Sequence, residues 1–317
     1  MPVTADWLSR LLDFLSVSGH LDIRCFYGAP WRIAFARAEA GEMAYHAVLG
    51  GSAELVVEET PGAAPRRLTA GDIVLLPHGS PHVLDDGSGD EPMPAQARAG
   101  MNLIISENAG TGDRLDMMCG RFVLSPAHRR LLQDYLPPVL VVSAANHSAS
   151  TARPGTTPAQ LAGLVNLMRS ESAAEELGGR AMLNALSTAM FTLILRLASE
   201  GEAAPKGLLA LAGHPRLAPA LAALFNEPGR PWSLPELARL SNMSRATLVR
   251  HFREKLGHSA SDLQRDIRIA LAAAKLRKSS ASTAAIAAEV GYQSEAAFQR
   301  AFKQRMGLTP AQWRRGE

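Results

Sequence analysis

The rhythm of hydrophobic and polar positions changes along this chain. Trp31–Ala38, Met43–Leu49, Ala53–Glu58, Asp72–Leu76 and Leu115–Leu124 are short and either apolar or alternating, which predicts β-strands. Gly50-Gly51, Pro61-Gly62, Gly71, Pro77 and Pro81 punctuate them as turns. Many short strands with such turns predict an antiparallel sandwich or small barrel. Asp85–Gly100, rich in glycine, proline and acid, reads as a mobile loop, and His147–Pro158, rich in Pro, Thr and Ser, as a connection. Beyond it the period lengthens. Leu161, Leu164, Val165 and Met168 recur at helical spacing, as do Met182, Leu186, Met190, Leu193 and Leu197 after a break at Gly178-Gly179. Glu200–Lys206 reads as a linker, and the rest of the chain is helical.

In this helical stretch the same pattern occurs twice. Leu234–Leu240 carries the apolar face of a short helix, Ser241-Asn242-Met243 turns the chain, and Ser244 is placed to cap a helix ending at Gly257. Leu248, Phe252 and Leu256 face inward on that helix, while Arg245, Thr247, Arg250, Arg253 and Lys255 lie on its other faces. Thr283–Val290, the turn Gly291-Tyr292-Gln293 and the cap Ser294 repeat the arrangement. There Phe298, Phe302 and Met306 point inward, with Gln299, Arg300, Lys303 and Arg305 available outward. A short helix, a tight turn and a basic second helix is the helix-turn-helix pattern. Between the two units Ser259–Lys278 predicts a helix of roughly 30 Å. That is close to one turn of B-DNA, so two recognition helices could enter successive major grooves from one side.

Charge supports this division. The whole chain of 317 residues carries a formal +3, but the residues from His214 onward hold 17 Lys+Arg against 8 Asp+Glu. The remainder is correspondingly acidic, which fits a basic nucleic-acid module joined to a body that does not touch nucleic acid, and on charge alone fits a solvated surface of uneven charge equally well. At the N-terminus no basic segment precedes an apolar core, so a secretory signal is not expected. Ala181–Ala198 is interrupted by Asn184, Ser187, Thr188, Thr192 and Arg196, which argues against a membrane span. Two cysteines do not build a disulfide scaffold, and the expected compartment is the cytoplasm.

The segment IAAEVGYQSEAAFQRAFKQRMGLTPAQWRR resembles the signature of the AraC/XylS family of bacterial transcription regulators. The resemblance covers about a hundred residues and implies a seven-helix domain with two helix-turn-helix units. By matching position it places base-edge contacts on Ala246, Val249 and Arg250 in the first unit, and on Glu295, Ala296, Gln299 and Arg300 in the second. Arg250 is the strongest reader, since a guanidinium pairs bidentately with guanine. Ala246 and Val249 can read only a thymine methyl or shape. Arg253, Lys255 and Lys303 suit phosphates and salt-dependent affinity. Double-stranded promoter DNA, RNA polymerase and a second copy of the chain are the expected partners, and a role as activator is expected.

The run Gly71-Asp-Ile-Val-Leu-Leu-Pro77-His-Gly79-Ser-Pro-His82 resembles the second motif of the cupin barrel. The first cupin motif needs a His-x-His pair, but His46 is followed by Ala47 and Val48. A catalytic metal usually has three protein ligands, so no metal and no cofactor is expected, and neither is enzymatic activity. Trp31, His46, His78 and His82 remain candidates to contact a small organic effector. Cys25, read as preceding the first strand, and Cys119, in a late strand, lie near Arg24, Arg114 and Arg121. Nearby cations lower a thiol pKa and favour oxidation, with Met117 and Met118 as further oxidisable groups. The arrangement resembles a cupin-type AraC subgroup that includes reactive-chlorine-sensing regulators. The expected fold is therefore α+β. A cupin-like sensor spans residues 1–150, helices for linkage and dimerisation span 151–205, and the double helix-turn-helix domain spans 206–317. Thiol oxidation or a barrel-bound effector would supply the signal. A cupin metalloenzyme fused to a DNA-binding tail is the remaining, enzymatic alternative.

Overall fold

The computed structural model describes residues 6–58, 64–125, 127–144, 155–174, 176–200 and 205–316. Residues 147–154 of the expected connection and 201–204 of the expected linker fall outside these. Two compact units make up the chain. One comprises Val17–Leu124 and Pro137–Ala198; the other comprises Met1–Ser16, Ser125–Leu136 and Ser199–Glu317.

The first unit is a two-sheet β-structure. Its elements are β1 (Ser18–Gly28), β2 (Arg32–Phe35), β3 (Glu42–Gly50), β4 (Ser52–Val57), β5 (Arg66–Thr69), β6 (Asp72–Leu76), β7 (His82–Asp85), β8 (Ala95–Ala99), β9 (Ile104–Asn108), β10 (Arg114–Val123) and β11 (Leu140–Ser143). Seven strands form one sheet in the order β11-β6-β3-β10-β1-β9-β8, and four form the other in the order β2-β7-β4-β5. Among the described strands only β1 and β9 pair in parallel. Between the sheets lies a core to which Tyr27, Trp31, Leu55, Leu68, Val74, Leu84 and Met117 contribute.

The outer face of the large sheet is also covered. Tyr45 and Phe122 stack there, and Phe122 meets Phe191 of the helix Gly179–Ser199. That helix is long and apolar enough to cross a membrane by length and composition. Here it packs on the sheet: Tyr45 and Ser187 hydroxyls bond at 2.8 Å, and the Gly19 N–H donates to Thr188 at 2.8 Å. A side chain at Gly19 would collide with the Thr188 backbone at 2.5 Å, so only glycine allows this approach.

Two expectations need correcting here. Cys25 does not precede the first strand but lies within β1, the longest strand. A register shift between Leu21 and Ile23 breaks the alternation that would have revealed it. Nor is Asp85–Gly100 wholly a loop, because Ala95–Ala99 pairs with β9.

The second unit is helical. Its elements are α1 (Trp7–Leu15), α2 (Arg129–Tyr135), α5 (Leu208–Ala212), α6 (Ala218–Asn226), α7 (Leu234–Leu240), α8 (Arg245–Leu256), α9 (Ala260–Lys278), α10 (Thr283–Glu289), α11 (Glu295–Met306) and α12 (Pro310–Arg315). In the first unit α3 (Thr157–Ala173) and α4 (Gly179–Ser199) complete the series. The sequence pattern does not mark α1 and α2 as companions of the C-terminal helices. Burial explains the association: Leu8, Leu11 and Leu15 of α1 are sequestered against α6, and Leu131, Leu132 and Tyr135 of α2 against neighbours that include α9.

Candidate DNA-reading helices and the barrel interior

Local chemistry fixes both helix-turn-helix units. Ser233 and Glu236 form a reciprocal capping box at the start of α7, and Asn242 takes the left-handed turn conformation at φ 48°. Ser244 accepts from the Thr247 N–H at the start of α8, and Ser294 accepts from Ala297 at the start of α11. Left-handed Gly257 and Gly307 end the two recognition helices. Leu248, Phe252 and Leu256 are buried under α8, and Phe298 and Phe302 under α11. The central helix α9, of 19 residues, is about 28 Å long.

That burial turns the remaining faces outward. Arg245, Ala246, Arg250 and Arg253 are exposed, with Thr247 and Val249 half-buried. A shallow groove is lined by Arg245, Ala246, Val249, Arg250 and Arg253 together with Leu234. On α11, Glu295, Ala296, Gln299, Arg300 and Lys303 are all exposed. The Gln299 amide donates to the Glu295 carboxylate at 2.9 Å, so the acidic residue holds the amide that a base edge would need. Arg305 is not available outward as the sequence pattern implied. It lies 3.1 Å from Asp266 and also pairs with Asp134 of α2, while the Tyr135 hydroxyl donates to Asp266 at 2.7 Å.

Arg268, which sequence reasoning missed, ties the two reading units together. Its guanidinium donates to the carbonyls of Pro228, Gly229 and Arg230 before α7, and of Gly291 after α10. Gln264, one turn earlier, adds a bond to the Arg230 carbonyl at 2.6 Å. The only trace in the sequence is a cation set between Ile267 and Ile269.

In the barrel unit, His46 and His82 meet inside the core, with their Nε2 atoms 2.7 Å apart. His82 Nδ1 lies 2.9 Å from the Ser80 carbonyl, which can only accept, so Nδ1 carries the proton. His82 Nε2 is then an acceptor, His46 Nε2–H donates to it, and buried His46 Nδ1 is left without a partner. Burial, with His82 beside it, holds the His46 imidazole well below the ordinary range; burial also lowers His82. Phe35 stacks on His82 with ring centroids 4.7 Å apart. Trp31 is buried some way off against Tyr27, whereas His78 is half-buried on the turn after β6. Among the described residues no three His, Cys, Asp or Glu side chains are gathered to hold a metal.

Cys25 and Cys119 are both free and buried on the paired strands β1 and β10, where Cys25 stands opposite Met117 and Cys119 opposite Ile23, so the two thiols are diagonal neighbours in the barrel core. The neighbouring thiol lowers the Cys25 pKa and, with burial, raises that of Cys119. The asymmetry marks Cys25 as the thiol that ionises first. The cations expected to do this do not. Strand alternation sends Arg24 away from the thiols, into a bidentate pair with Asp116 at 3.0 and 2.9 Å, and Arg121 pairs with Asp22 and Glu42.

Comparison with known proteins finds a barrel family followed by a helix-turn-helix family, the first match taking in α1 and α2 as well. The family described as Cupin matches residues 6–200, and that described as Helix-turn-helix domain matches 237–316. An uncharacterized HTH-type transcriptional regulator of Haemophilus influenzae is 31% identical, over 98% of both chains. The HTH-type transcriptional regulator MtrA of Neisseria gonorrhoeae is 29% identical, again over 98% of both. The RCS-specific HTH-type transcriptional activator RclR of Escherichia coli K12 is 27% identical over 98% of this chain and 97% of its own. Two capped reading helices on a basic helical unit and a two-sheet barrel thus place this chain in the AraC family of HTH-type transcriptional regulators, in the group with an N-terminal cupin domain.

Proposed function

We propose that this regulator is an activator whose DNA-bound activity is switched by oxidation of Cys25 and Cys119. The observation that carries the reading is the pair of buried free thiols set diagonally on adjacent strands within one core cluster. One hypochlorous acid molecule would take two electrons from the pair, giving a disulfide, chloride, water and a proton. The Cys25 thiolate attacks the chlorine, hydroxide leaves to become water, and Cys119 then displaces chloride from the sulfenyl chloride. The likeness to RclR, an RCS-specific activator by name, supports the same signal class.

Residues 1–150 are assigned to sensing, 151–205 to linkage and dimerisation, and 206–317 to DNA, with RNA polymerase as the partner at the promoter and the cytoplasm as the place of action. Base reading is assigned to Ala246, Val249, Arg250, Glu295, Ala296, Gln299 and Arg300, phosphate contact to Arg253, Lys255 and Lys303, and further DNA contact to Arg245 and Thr247. Pairing of two copies is supported by exposed apolar residues on α3 and α4, Leu167 at 45% and Met182 at 40%. The relatives, named as transcriptional regulators, support a regulatory rather than an enzymatic role.

The test is promoter affinity and transcription in vitro for wild type, Cys25→Ser and Cys119→Ser, each reduced and after one equivalent of hypochlorous acid. Wild type should change output about tenfold, as ordinary allosteric coupling allows, and recover with dithiothreitol. A serine variant that responds like wild type overturns the proposal.

A further inference from the structure

Helices that pack on sheets normally fill the gap with large apolar side chains. The face of α3 turned to the large sheet instead carries Ala159, Ala162 and Gly163, and a cavity of about 530 Å³ remains beneath it. Its floor is Ala47 of β3 and Ile73 of β6. This is the outer face of the sheet, since Val48 and Val74 of the same strands face the barrel core and Ala47 and Ile73 alternate with them. The volume falls within the ordinary range of small-molecule sites, roughly 300–1,000 Å³.

The chemistry of the lining is one-sided. Among the described residues Arg169 is its sole charged side chain, with Asn166 one turn before it on the same helix face, and no aromatic ring is present. Arg169 is not neutralised where it stands. Asp116 gives both its oxygens to Arg24, and Arg169 approaches it only to 3.9 Å with 54% of its side chain exposed. Two guanidiniums therefore share one carboxylate, and one positive charge is left at the mouth of an aliphatic chamber. We propose that this cavity binds an aliphatic monocarboxylate of medium chain length. Its chain would lie between α3 and the sheet, and its carboxylate would be paired to Arg169 beside the Asn166 amide. A guanidinium fork suits a carboxylate bidentately, and walls without aromatic rings favour a flexible alkyl chain over a stacked ring. The site is separate from the thiol pair, which lies inside the barrel, so either reading can fail without the other.

Gly163 supplies a clean test. A Cβ built there meets no atom within 4 Å, so Gly163→Leu starts its side chain in open space at the chamber wall and replaces a poor helix former. Calorimetric titration of the full chain would use octanoate, below its micelle concentration, and 1-octanol. Octanoate should bind wild type at one site, with octanol at least tenfold weaker. Arg169→Gln should bring octanoate down to the level of octanol, and Gly163→Leu should abolish both while its melting temperature, measured alongside, stays at or above that of wild type. The idea is overturned if octanoate fails to bind wild type, if Arg169→Gln binds it unchanged, or if Gly163→Leu, still folded, retains it. Cys25→Ser/Cys119→Ser should bind octanoate like wild type.

Discussion

Three buried histidines set how this protein responds to acid. His128 donates from Nδ1 to the Leu15 carbonyl at 3.1 Å, and its ring lies 4.4 Å from that of Phe14. Burial lowers its pKa from 6.5 to about 4. An unfolded chain therefore binds a proton at His128 below about 6.5, while the folded chain does so only near 4. Stability from this group is complete above pH 6.5 and declines as the pH falls through that window, by up to about 3 kcal/mol when fully lost. His46 and His82 are shifted in the same direction. Urea unfolding at pH 7.5, 6 and 5 should show this decline, and His128→Asn should flatten it for the helical unit; an unchanged slope would contradict the assignment. Residue types were legible at this scale, but partners were not. His46 and His82 stand out in the sequence as effector candidates, yet their shared proton depends on β3 facing β7 across the barrel. The basic neighbours of Cys25 pointed to a cation, whereas the structure supplies a second thiol.

Elements were legible where a local signal fixes them. The caps Ser244 and Ser294 and the stops Gly257 and Gly307 mark α8 and α11 because capping is short-range chemistry. Strands were less legible, since alternation needs one wet face. The large sheet is covered by core on one side and by α4 on the other, so β1 reads as mixed and was missed. Arg268 shows the same limit, because the carbonyls it gathers lie roughly 23 to 40 positions away in the chain. Arg268→Met should strand those carbonyls and cost about 2 kcal/mol of stability. It should also lower affinity for long promoter sites spanning both units more than for a half-site. Thermal unfolding and fluorescence anisotropy with the two DNA lengths would check it; equal loss on both would mean that Arg268 stabilises without aligning.

At the scale of the molecule, the chain passes between its two units four times. The domain boundaries drawn from sequence give α1 and α2 to the sensor, yet their buried leucines belong to the helical unit. Composition could not reveal this, because an amphipathic helix does not say which core it joins. A chain beginning at residue 18 should lose the buried leucines of α1 that pack against α6 and unfold several degrees lower, a change expected from a few kcal/mol in a domain of this size. Differential scanning calorimetry of the truncated and full chains measures it, and identical traces would show α1 to be dispensable.

The ion pairs of Arg305 with Asp134 and Asp266 carry that weave down to the end of the second reading helix. For anyone recombining sensors and readers, the helical unit is not a cassette that begins at residue 206. A chimera spliced there would place a foreign helix where Asp134 and Tyr135 meet Asp266. To transplant the reader intact, residues 1–16 and 125–136 must travel with it, as three pieces of one graft.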